Sequence, residues 1–188
     1  MPVTAIDKET ALVVIDIQKG IVRRPTAHPA DLIVANVLRL VEAFRSRARP
    51  VVLVHVGWNA DRSDALNTRV ESKAPTAFDP EMFQFVPELK ADPERDLIIH
   101  KRQWGAFYGT PLDLLLRRRQ ITGLVLCGIA TSIGVESTAR DAWERSYNLT
   151  FATDAMTDLH LDAHERSLTR IFPRIGELGT TGEIIERL

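Results

Sequence analysis

Three stretches of this chain carry side chains able to move protons or hold charge. They are Asp16 and Gln18 in ALVVIDIQ (residues 11–18), Lys101 in HKRQWGAFYGT (residues 100–110), and a turn around Gly134 in VLCGIATSIGVESTARDA (residues 125–142). Asp16 follows an apolar run, which makes it a carboxylate at the lip of a desolvated site. Burial raises such a pKa and a nearby ammonium lowers it, so the working protonation state is a contest between the two. An Asp after a strand is also a common turn former. Lys101 reads as that ammonium or as a surface cation beside Arg102, and Gln18 as a pocket residue or a solvated loop residue. Trp104, Phe107 and Tyr108, loosened by Gly105 and Gly109, read either as an apolar wall for a ligand or as core and rim residues. In the third stretch an apolar run of β character stops at Gly128, and a helix of small residues begins near Ser132. The first N–H groups of such a helix have no partner within it and stabilise an anion or a polarised carbonyl above the strand end. The residue facing that spot is Gly134.

These side chains are only as well placed as the elements that carry them. Short β-rich apolar runs at residues 11–15, 51–56, 97–99, 124–129 and 149–152, with a weaker one near 176–180, alternate with helical patterns. Leu32, Ile33, Val37, Leu40, Val41 and Phe44 recur at helical spacing, with Pro29 suited to the first turn and Pro50 beyond the exit. Further helices are expected over 111–119, 132–147, 162–171 and 182–187. This alternation predicts βαβ units in a three-layer, Rossmann-like α/β fold: a six-stranded, mostly parallel sheet with helices on both faces. The first two runs lack polar alternation, as strands covered on both faces do. In open sheets of this kind ligands bind beyond the carboxyl ends of the strands, so Asp16, Lys101 and Gly134 should meet at one edge. Their sequence spacing alone does not pair them; the parallel sheet does. Residues 58–96 break the rhythm and form an excursion too long for an ordinary connection, either on the substrate or subunit side or as plain surface structure.

Composition narrows the class. The 188 residues fit one domain spanning 1–188, and a hydrophobic content of 45% suffices for one core. With 24 basic against 25 acidic side chains there is no field to gather nucleic acid or an anionic membrane, so neither is an expected partner. No apolar stretch approaches membrane-spanning length, and the start MPVTAIDKET has neither a basic segment nor an apolar signal core. Cys127 is the single cysteine and forms no internal disulfide, so a reducing cytoplasm is the expected location.

The three motifs together resemble the isochorismatase-like superfamily, the cysteine hydrolases. In most members the turn reads roughly G-[VI]-x-T-x-[VI]-C-V-x-x-T-A-R-x-A, with the Cys as attacking thiolate. This chain matches nearly every position and has Gly134 where that Cys stands. Asp16 matches the family's catalytic carboxylate, and Lys101 the lysine that orients it and stabilises negative charge developing on substrate. QWGAFYGT and IGVESTAR are similar to a branch of the family found in enteric bacteria. The resemblance implies a small-molecule substrate, Gln18 near the pocket, and assembly as a homo-oligomer, dimeric or larger. It also implies a non-proline cis peptide between Ile129 and Ala130, which would aim the Ala130 N–H beside that of residue 134 as an oxyanion hole.

The departure at residue 134 changes the chemistry the resemblance implies. Without a thiol there, the covalent acyl-enzyme route has no attacking atom. Cys127 lies inside an apolar strand and reads as core. Members that hydrolyse isochorismate without a cysteine act on a vinyl ether: a carboxylic acid protonates the enol carbon, an oxocarbenium ion forms, and water adds to release pyruvate. Asp16 would be that acid, Lys101 its partner, and Gly134 would make room for substrate or water. The leading expectation is therefore a cysteine-independent hydrolase of a small carbonyl- or carboxylate-bearing metabolite. A catalytically silent member kept for ligand binding or assembly, and an amidase with an unexpected nucleophile, are the alternatives. No cofactor and no metal is expected, since the region after the second strand, HVGWNAD, offers His55 and one distant Asp where metal ligation needs several convergent ligands.

Overall fold

The computed structural model describes residues 3–71 and 79–188. Six strands, β1 (Thr10–Ile15), β2 (Val51–Val56), β3 (Leu97–Lys101), β4 (Gly123–Ile129), β5 (Asn148–Thr157) and β6 (Glu177–Gly179), form one sheet in the order β3-β2-β1-β4-β5-β6. Every neighbouring pair is parallel. The apolar runs of the sequence become these strands. β1 and β4 are buried at every residue, because helices cover both faces of the sheet.

The helices are α1 (Lys19–Val22), α2 (Ala30–Ser46), α3 (Leu112–Arg118), α4 (Glu136–Glu144), α5 (Leu161–Arg166) and α6 (Thr181–Ile185). Alternate strand residues feed two cores. Leu12, Val14, Leu53 and Cys127 pack with Ile33, Val37, Leu40 and Phe44 of α2 and Ile184 of α6. Val13, Ile15, Val54 and Ile99 pack on the other face with Leu112 and Leu116 of α3, Ala139 and Ala142 of α4, and Phe172. A pair of consecutive crossovers runs outward from β1 and another outward from β4, so the chain reverses direction between these two strands. In open sheets this reversal is where ligands bind, beyond the carboxyl ends of the strands. The strands approach closely at that point: a Cβ on Gly128, whose φ is 119°, would lie 2.1 Å from the Ile15 carbonyl oxygen. Only glycine fits there.

Two expected helices differ in detail. The one expected over 132–147 opens with a π turn (Thr131–Val135), in which the Val135 N–H bonds the Ala130 carbonyl, before α4 begins. The one expected over 162–171 is α5 followed by a second π turn (Ser167–Ile171). The 58–96 excursion contains short 3-10 turns at Pro80–Phe83 and Pro87–Leu89, and its residues 72–78 lie outside the described residues. Its far end is tied to α2 by Arg45, whose Nη2 lies 2.6 Å from Oδ2 of the buried Asp96, just before β3. Among the described residues no helix is long and apolar enough to cross a membrane.

Candidate active site

Asp16 is the first residue beyond β1 and sits in the left-handed region, φ 53°, which Asp adopts more readily than most residues. That turn swings its carboxylate across the strand end toward β3. Lys101 is the last residue of β3, and its Nζ reaches Asp16 Oδ2 at 2.8 Å. The lysine side chain is 1% exposed and the aspartate 8%. Lys101 Nζ also donates to the Trp104 carbonyl at 2.6 Å, which spends two of its three N–H donors. Asp16 Oδ1 is buried and has no hydrogen-bond partner among the described residues. Burial pushes the Asp16 carboxyl up to about 6, against the opposing charge and hydrogen bond of Lys101. Desolvation therefore wins the contest, and the group titrates near neutral pH.

Gly134 completes the arrangement. A Cβ built on it would lie 3.3 Å from both Asp16 Oδ2 and Lys101 Nζ, and 2.9 Å from Ile15 Cγ2. The side-chain position of residue 134 is thus a point shared by the carboxylate, the ammonium group and one methyl of the β1 core. The turn that holds it is fastened on both sides. Asp158, 1% exposed, accepts from the Ser132 N–H at 2.6 Å. The Thr138 hydroxyl donates to the Gly134 carbonyl at 2.7 Å and accepts from the Ala106 N–H at 3.1 Å, linking the turn to the loop after Lys101. The Ile129–Ala130 peptide is cis.

The structure brings Asp16, Lys101, Gly134 and the Ile129–Ala130 bond together at the sheet's switch point, and places the remaining candidates elsewhere. Gln18 is fully buried and its amide is spent on backbone: Nε2 donates to the carbonyls of Val56 and Phe83, each at 2.8 Å, and Oε1 accepts from the Val56 N–H at 2.9 Å. It ties the β1 end to β2 and the excursion. Phe107 is 4% exposed and belongs to the core beside Tyr147, whereas Trp104 and Tyr108 are 63% and 77% exposed. The three aromatics therefore do not form one wall. Cys127 is fully buried against the Val13 carbonyl, and burial pushes its thiol up.

His55 stacks on His100 at 4.4 Å, the two being register partners on β2 and β3. Burial, with the charges of His100 and Arg102, pushes His55 down to about 4. Side chains alternate along a strand, so this pair lies on the face of β3 opposite Lys101. The pair lines a separate cavity of about 400 Å³ with Trp58, Phe83 and Phe85, and neither Asp16 nor Gly134 borders it. Among the described residues no cluster of three or more His, Cys, Asp or Glu side chains could hold a metal ion. Sequence reasoning missed Asp158 and the Trp104 carbonyl. Thr138 was visible only as part of the motif around the turn.

A doubly wound parallel sheet with an aspartate, a lysine and a strand-to-helix turn meeting at its switch point is an α/β fold of the kind that binds ligands beyond the carboxyl ends of its strands. Residues 10–183 match the isochorismatase domain family model. The chain is 47% identical over 184 residues to the uncharacterized isochorismatase family protein YecD of Escherichia coli O157:H7, covering 96% of this chain and 97% of that protein. It is 30% identical over 189 residues to the ureidoacrylate amidohydrolase RutB of Agrobacterium fabrum, covering 86% and 81%. An isochorismatase family protein from Burkholderia thailandensis has the same fold with a TM-score of 0.94 at 42% identity, covering 100% of this chain and 98% of that one. The chain belongs to the isochorismatase family of hydrolases.

Proposed function

We propose that this protein is a hydrolase that works without a cysteine nucleophile, using Asp16 and Lys101 for general acid and base catalysis on a small carbonyl- or carboxylate-bearing metabolite. The observation that carries the reading is the buried 2.8 Å Asp16–Lys101 pair beside a residue 134 that has no side chain. A carboxyl titrating near 6 is matched to both roles at physiological pH: its protonated form gives a proton, and its ionised form takes one from water. Lys101 holds the carboxylate from one side through Oδ2, which leaves Oδ1 to face the reacting atom. The ammonium group also binds a substrate carboxylate or the charge that develops on a carbonyl oxygen. The N–H groups of Ala130 and Gly134 serve as oxyanion donors, while the room expected at Gly134 is taken up by Ile15, whose Cγ2 would lie 2.9 Å from a Cβ there. The RutB relatives, as amidohydrolases, put amides beside vinyl ethers and esters among the compounds to be tried.

Incubating a metabolite extract with the wild type and with Asp16→Ala, followed by mass spectrometry, tests the reading. A compound consumed by the wild type alone, and still bound by the variant, supports it and names the substrate. If the wild type consumes nothing from the extract or from a panel of vinyl ethers, amides and esters, a catalytically silent family member takes its place.

A further inference from the structure

Behind the turn that carries Ala130 and Gly134 runs a closed circuit of polar side chains with no direct contact to Asp16 or Lys101. Thr131, the residue after the cis bond, is fully buried, and its hydroxyl lies 2.8 Å from His164 Nδ1. His164 comes from α5, is 5% exposed, and packs edge-on against His28 with ring centroids 4.8 Å apart. His28 in turn holds Thr157: its Nδ1 is 3.0 Å and its backbone N–H 3.2 Å from the Thr157 hydroxyl. Thr157 ends β5 and is the register partner of Ile129, which ends β4 just before Ala130. The path from Ile129 through Ala130, Thr131, His164, His28 and Thr157 thus returns to Ile129.

We infer that His164 is a positioning residue for the candidate active site: through its hydrogen bond to Thr131, and braced by His28, it holds the Ala130–Gly134 turn down over the Asp16 carboxylate. The geometry favours this over a role in packing alone. Thr131 and Gly134 lie in one π turn, and the side-chain position of Gly134 is 3.3 Å from Asp16 Oδ2, so the turn is part of what keeps water from that carboxylate. The hydroxyl–imidazole bond ties the turn at Thr131, three residues before Gly134, beside the ties of Asp158 at Ser132 and of Thr138 at Gly134. His164 is suited to a fixed role because burial and the His28 ring hold it below the ordinary histidine range, with Asp158 and Glu165 opposing.

The inference rests on the proposed function in taking Asp16 as the working acid, but its test needs no substrate. The side-chain carboxyl of Asp16 is titrated by carbon-13 NMR in the full chain, in the wild type and in two pairs of variants. His164→Phe and Thr131→Val keep the shape and lose the hydrogen bond; His164→Asn and Thr131→Ser keep a group able to make it. Loosening the turn lets water reach Asp16, so the first pair should lower its midpoint by about one pH unit toward the ordinary range, since desolvation is what raises it. The second pair should leave it within a few tenths of wild type. If His164→Phe does not fold, Thr131→Val carries the comparison. A midpoint unchanged in the first pair, even with a reduced melting temperature, would overturn the inference and leave His164 a packing residue. So would an equal shift in all four variants. Loss of the metabolite turnover proposed above, with this titration behaving as expected, would instead count against the proposed function alone.

Discussion

Replacing Asp16 with Asn removes a titrating group, and with it the anionic partner of Lys101, from the switch point, and the pH-dependent part of its consequence for stability can be worked from the structure. The Asp16 carboxyl is raised from 3.8 to about 6 in the folded protein. In the unfolded chain it has the ordinary value, so between those two pH values the folded state binds more protons than the unfolded one. Stability must then fall as pH rises through this window, because protonation favours the state with the higher pKa. A shift of about two units corresponds to about 3 kcal/mol, fully incurred above the folded midpoint and absent below the unfolded one. The measurement is the unfolding free energy in urea for wild type and Asp16→Asn from about pH 4 to about pH 8. Other titrating groups are common to both proteins, so their contributions cancel in the difference to the extent that they do not couple to Asp16. The wild type should lose about 3 kcal/mol relative to the variant between about pH 4 and about pH 7 and stay level beyond. A difference flat in pH would show that Asp16 is not perturbed. A difference of opposite slope would show that the Lys101 charge outweighs burial, which would leave Asp16 a plain carboxylate at neutral pH and remove its competence as an acid.

Two further substitutions separate packing from chemistry. Gly134→Ala places a methyl 2.9 Å from Ile15 Cγ2 and should cost about 1–3 kcal/mol as an overpacked core does. Ile15→Leu, which lacks that methyl, should recover most of the loss in a double-mutant cycle of urea unfolding, and additive losses would contradict the contact. Gln18→Leu removes three buried hydrogen bonds and should lower stability by roughly 2–4 kcal/mol. On the substrate found by the extract screen, the KM of whatever Gln18→Leu protein stays folded should match wild type. A raised KM with unchanged stability would make Gln18 a ligand contact after all.

The strands were legible because burial on both faces writes itself as uninterrupted apolar runs, and once they were parallel the residues just past their ends had nowhere else to go. Asp16 and Lys101 are such residues: one follows β1 and the other ends β3, and their 2.8 Å approach follows from the order β3-β2-β1 rather than from any local signal. The π turn at Thr131–Val135 was read as ordinary helix, since over five residues the apolar pattern does not distinguish a bond to the fifth preceding carbonyl from one to the fourth. The family resemblance implies a place for Gln18 near the pocket, and the bare residue reads as a solvated loop side chain; the structure buries it on backbone groups instead. Its actual partners lie 38 and 65 residues away, and a glutamine in a loop carries no mark of the backbone groups it will meet.

Phe107, Trp104 and Tyr108 show the same limit from the other side. They occupy an irregular loop, where no period assigns faces, so one ring joins the core and two face outward with nothing in their spacing to say which. The loop is held within itself by Gln103, whose Nε2 donates to the Gly105 and Tyr108 carbonyls, and from a distance by the Thr138 hydroxyl, which accepts from Ala106 and donates to Gly134. This matters for the chemistry. Lys101 is held through the Trp104 carbonyl, two residues before Ala106, so one threonine on α4 couples the placement of the ammonium group to the placement of the turn. Asp16 follows directly from a strand of the sheet, whereas the turn and the loop beside it are tied by side chains on returning helices, Thr138 and His164. Variation at those second-layer residues therefore has the means to retune the site while Asp16 and Lys101 stay in place.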